Sequence, residues 1–137
     1  AAHMSVLDIL LEGTARNVQK TPQEQDYKVL RLSEELGQDV VFKLRGLSYN
    51  KCHELADTEE VDVLTVLAGV VEPNLQDVRL AVQYGLLQEG ESWGRHGVTP
   101  PDLVKAMLLP GEISAMARFI QQLSGYRTIG LEAVKKN

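Results

Sequence analysis

The sequence predicts an α+β fold: a mainly α-helical single domain with a small N-terminal antiparallel β-hairpin packed on about five helices. Three observations predict it. Val40, Phe42 and Leu44 alternate with Lys43 and Arg45, the period of two that marks a half-buried strand. From Leu47 onward the apolar residues fall instead at helical spacing, between capping residues and glycines. The chain has 137 residues, enough to bury roughly two-thirds of its unfolded surface in one core without disulfides. An all-α arrangement is the alternative. Two strands alone are marginal in water, so helices must cover the apolar face of any hairpin.

Composition narrows the class. Apolar residues make up 44% and charged residues 24%, ordinary globular usage. Nineteen acidic against 14 basic side chains leave a net charge of −5, which disfavours nucleic acid as a partner, since duplex affinity rests on Lys and Arg at phosphates. One cysteine excludes an intramolecular disulfide and a multi-cysteine zinc site. No apolar run approaches the roughly 20 residues of a helical membrane span. A soluble, cytoplasmic protein with no membrane partner is expected.

Ala1-Ala-His3 reads as a cloning remnant before a natural start at Met4. Val6 to Leu11 suits one or two helical turns ended by Gly13, and the polar stretch to Asp26 reads as a flexible linker. Residues 4–26 are therefore expected as a short helix and tether, 27–127 as the globular α+β domain, and 128–137 as a mobile tail. Strands are expected near 27–32 and 40–45, with Ser33 to Leu36 a single helical turn closed by a left-handed Gly37. An exposed edge at Tyr27 to Leu32 would permit pairing with another subunit.

Ser48 is placed to cap a helix from Tyr49 to Ala56. Val61 to Val71 is apolar nearly all round, the mark of a helix in the centre of a core, and Pro73 ends it. A short helix follows through Tyr84 and closes at Gly85. Leu86 to Val98, with three glycines around Trp93, reads as a surface loop. Thr99 with Pro100 and Pro101 starts a helix running from Asp102 to Leu109. Glu112 opens the last helix, on which Ile113, Met116, Ala117, Ile120 and Leu123 share one face.

Catalytic chemistry is nearly absent. No catalytic residue, cofactor or metal ligand is assigned, and the chain reads as a non-enzyme. Cys52 and His53 project about 100° apart on one helix; Cys52 is expected as a small core residue and His53 as a solvated one. His96 has no acid or nucleophile beside it in the sequence. The carboxylates gather at helix starts, where the dipole accounts for them. Candidate partner-binding residues are Leu7, Ile9, Leu10, Leu11 and Trp93. The four aliphatic residues either fold back on the domain or dock on another subunit or partner. Trp93 is either a lid packed on the domain or an aromatic anchor.

Three segments in order, Leu67-Ala-Gly-Val-Val-Glu-Pro-Asn-Leu75, Leu108-Leu-Pro-Gly-Glu-Ile113 and Leu123-Ser-Gly-Tyr126, resemble the XkdN-like family of phage tail assembly chaperones. The opening Val6-Leu-Asp-Ile-Leu-Leu-Glu-Gly13 and the Lys28-to-Leu47 region are similar too, so the likeness runs from Met4 to about Arg127. The Leu86-to-Val98 loop departs from the family by its length. The resemblance implies a chaperone that binds the tape measure protein of a siphophage or myophage, or of a prophage. It implies that the chaperone keeps the client's apolar helices soluble until tail tube subunits polymerise around them, and that it is absent from the mature virion. Further implied partners are the tail tube protein, a homo-oligomer, and a longer form made by programmed frameshift. The ending Lys135-Lys-Asn137 fits a slippery codon run and equally an ordinary basic tail. Two other functions compete: a structural head-tail adaptor or tail completion protein, and a DNA-binding regulator built on the helices from Ser48 to Tyr84.

Overall fold

The fold is that of a computed structural model describing residues 4–127 and 130–135. The expected remnant at 1–3 lies outside these residues, as do Thr128, Ile129, Lys136 and Asn137 of the expected tail. Among the described residues there are seven α-helices and one three-stranded antiparallel sheet of order β1-β2-β3. The α+β, mainly helical class holds.

The hairpin forms, with its first strand shifted. β1 spans Glu24–Lys28 and pairs with β2, Val41–Arg45. Register explains how so polar a segment becomes a strand. Gln25 and Tyr27 lie opposite Leu44 and Phe42 on the covered face, while Glu24 and Asp26 lie opposite Arg45 and Lys43 on the other. Opposite charges across a ladder are favourable. The strand expected at 27–32 is therefore corrected: it starts within the supposed linker, and Leu30–Leu36 is a helix, α2. The helix wins because Val29 and Leu32, three apart, are both buried. The Ser33 hydroxyl also accepts a 2.8 Å bond from the Val40 N–H, and Gly37 closes the helix at φ 67° as expected.

α3 (Tyr49–Ala56) starts where Ser48 caps it, its hydroxyl accepting from the Lys51 N–H. α4 spans Val61–Gly69, and the expected continuation to Val71 is replaced by a third strand, β3 (Val70–Glu72), on the far edge of β2. Gly69 accounts for the close approach of α4 to the last helix, because a Cβ there would collide with the Ile120 side chain. α5 is Val78–Gln83. A 3₁₀ turn at Arg95–Gly97 interrupts the long loop. α6 (Pro100–Met107) begins at Thr99, whose N–H and hydroxyl both donate to Asp102. α7 spans Pro110–Leu123.

The core lies between the covered face of the sheet and the α4–α6–α7 layer. Phe42, Leu44, Val66, Leu103, Val104 and Ile120 are at most 2% exposed, and Tyr27 stacks on Phe119 with ring centres 4.5 Å apart. Arg31 of α2 locks the layers together. Its guanidinium donates to Glu112 of α7 at 2.9 Å, to the Met107 carbonyl of α6 at 2.8 Å, and to Glu35 at 3.1 Å. Arg31 holds the Glu112 carboxyl below its ordinary pKa, helped by the Leu109 N–H.

Candidate functional site

The first candidate is a helix none of whose residues is buried. α1 (Val6–Glu12) has its ends closed by local chemistry. The Ser5 hydroxyl accepts from the Asp8 N–H at 3.1 Å, the Asp8 carboxylate accepts from the Ser5 N–H, and the Gly13 N–H donates to the Ile9 carbonyl at 3.0 Å. That reciprocal box supplies two of the partners a helix start lacks. Seven residues make a helix about 10 Å long, well under the length at which an isolated helix holds in water.

The helix brings together Leu7, Ile9, Leu10 and Leu11, which are 63%, 55%, 65% and 72% exposed. Leu7, Leu10 and Leu11 stand at i, i+3 and i+4 and share a face. Asp8 and Glu12, also four apart, carry its charge, and residues 4–15 contain no basic side chain. The total surface reflects this open arrangement: 10213 Å², against about 7,100 Å² for a compact chain of this mass. Residues 4–21 and 130–135 are exposed throughout and carry much of the difference.

Trp93 is elsewhere. It is half-buried against the core, and its indole N–H donates to the Gln76 carbonyl at 2.8 Å. Its loop is braced internally. Glu91 accepts from the Gln88 N–H at 2.7 Å and meets Arg95 and His96 at 3.3 and 3.0 Å. The Gln88 N–H chiefly, and then His96 and Arg95, hold the Glu91 carboxyl below its usual value. His96 thus does have an acid beside it, five residues back in sequence. In this geometry Trp93 packs on its own domain. The structure does not bring it to the aliphatic cluster.

Two hollows went unseen in the sequence. The larger, about 760 Å³, runs between the segment Val18–Pro22, α3 and α4, with Pro100 and Pro101 at one end. Buried Leu55 and half-buried Leu64, Leu67 and Ala68 line it, so one side of α4 is only partly covered. Lys20, Arg45 and Lys51 stand around it against a single carboxylate, Glu54. The smaller hollow, about 390 Å³, lies between α3, α4 and the end of α7. Cys52 lines it half-exposed, not in the core as expected, because Leu55 is the α3 residue that reaches the interior. His53 is solvated and stacks on Tyr49, itself 77% exposed. Only tertiary packing creates these hollows, and no residue pattern announces them.

Among the described residues no group of three or more His, Cys, Asp or Glu is placed to hold a metal ion. No helix among them is long and apolar enough to cross a membrane. What the surface offers is apolar contact area on a tethered helix and an apolar-floored groove with a basic rim. No curated protein and no solved structure matches the chain. Residues 53–136, more than half of the sequence, match the family described as Phage XkdN-like tail assembly chaperone protein, TAC. The match begins within α3, so α1 and the β1–β2 hairpin precede it. The chain belongs to the XkdN-like family of phage tail assembly chaperones.

Proposed function

We propose that this chaperone binds the tape measure protein in the host cytoplasm and keeps its apolar helices soluble until tail tube subunits enclose them, without remaining in the virion. The observation that carries the proposal is α1, a capped helix whose five large aliphatic side chains are all more than half exposed while the body's own core is closed. Contiguous exposed apolar surface of this kind marks an interaction site. A client helix laid against it removes apolar area from water on both partners, worth about 1.5–3 kcal/mol for each aliphatic side chain fully buried. The tether lets α1 follow a client face without disturbing the domain, and several copies along one client add their affinities. The net charge of −5 disperses the complex by self-repulsion.

Co-expression with the tape measure protein tests the reading. The wild-type chain is expected to co-purify with a soluble client, and Leu7→Asp with Leu10→Asp is expected to leave the client insoluble. Unchanged capture by that variant sinks the role given to α1. Stoichiometric presence of the chain in purified mature tails sinks the chaperone reading in favour of a structural adaptor.

A further inference from the structure

We infer that, before any client arrives, α1 of one copy lies in the groove between α3 and α4 of a second copy, so that the chaperone exchanges arms as a dimer. The exchange needs no client and stands apart from the tape measure reading. Three observations meet in it.

First, the groove exposes a surface that helices of its type bury. α4 is apolar nearly all round, and Val63 and Val66 are in the core. Leu64, Leu67 and Ala68 are only half-covered and line an open groove. A helix apolar on every side is normally covered on every side. α1 has the complementary shortage: an aliphatic face and nothing to cover it.

Second, the charges match. Lys20, Arg45 and Lys51 against Glu54 give the groove a positive excess. Asp8 and Glu12, with no basic residue between Met4 and Ala15, make α1 itself acidic, and Arg16 follows in the tether. Complementary potentials of this kind fix register and orientation.

Third, the arm does not occupy its own groove. Asn17 anchors a turn at the groove's edge: its side-chain oxygen accepts from the Gln19 and Lys20 N–H groups, and its carbonyl from the Thr21 N–H. Gly13 leaves α1 in extended conformation. Although the tether is long enough for a turn, α1 stands away from its own groove: none of its residues lines it, and all are exposed. The groove is therefore left open to the arm of a second copy. Reciprocal exchange gives the closed two-fold pairing by which most homodimers form.

Light scattering and sedimentation of the chain alone test the inference. The wild type is expected at twice the 15.2 kDa chain mass. Leu7→Asp with Leu10→Asp is expected to weaken association on the order of a hundredfold while the domain still unfolds cooperatively in a circular dichroism melt, since α1 contributes nothing to the core. Lys20→Glu with Lys51→Glu is expected to weaken it about tenfold, and adding Glu12→Lys to recover part of that loss. A wild-type monomer overturns the exchange, whether its arm is free or folded back. So does a dimer indifferent to the arm variant, or lysine reversals that Glu12→Lys fails to relieve. Loss of client capture by a variant that still dimerises touches only the functional proposal.

Discussion

α1 and α7 begin alike and end differently. Each opens with an acidic side chain three residues into the helix accepting a backbone N–H, Asp8 from Ser5 and Glu112 from Leu109. Each carries a row of aliphatic residues at helical spacing. α7, with 14 residues, buries Ile113, Met116, Ala117 and Ile120 against α4 and the sheet. α1, with seven, buries none. Capping and periodicity make both helices; only length and a waiting partner surface decide which becomes core. The contrast teaches where stability and function separate in this molecule, since the helix that holds the domain together is not the one free to hold something else.

Four substitutions sharpen that contrast, in descending order of expected effect. Ile120→Ala empties a fully buried site and is expected to cost about 2–5 kcal/mol in a urea melt. Gly46→Ala is next. Its Cβ would run into the Leu123 carbonyl at the end of α7, and a backbone neighbour yields little, so a cost of about 1–3 kcal/mol is expected from the same measurement. Glu112→Gln acts through pH. The folded Glu112 carboxyl lies below its ordinary value of 4.5, chiefly through Arg31. Its stabilising contribution is therefore complete above that value and disappears as pH falls through the folded-state pKa. Thermal melts of wild type and variant should differ most at neutral pH and converge in acid; a gap that widens in acid would refute the assignment. Smallest of all, Leu10→Ala in α1, melted at a concentration where the chain is monomeric, is expected to change stability by less than about 0.5 kcal/mol, and a larger loss there would mean that the arm packs on its own body.

Much of this was legible from residues alone, where one side chain decides the geometry. Ser48, Gly37 and Thr99 with its prolines each mark a helix boundary through their own chemistry, and the structure places boundaries there. The helical face of Ile113, Met116 and Ile120 is legible because burial repeats over three turns. β1 was not, because Glu24–Lys28 has only Tyr27 to contribute to the interior and takes its strand conformation from β2. β3 was hidden in an apolar run that reads equally as helix or strand. The aliphatic cluster on α1 was visible, but that it stays undocked was not. The groove is a product of how α3 and α4 cross, a relation no single segment encodes.

The outer strand β1 has a consequence for behaviour at high concentration. It sits at the margin of the sheet with Glu24, Asp26 and Lys28 alternating along it, and charges on such a margin deny a neighbouring chain the flat apolar template that fibrils grow from. A molecule that displays bare leucines on one helix thus guards its backbone along the sheet margin, confining stickiness to a surface that can let go.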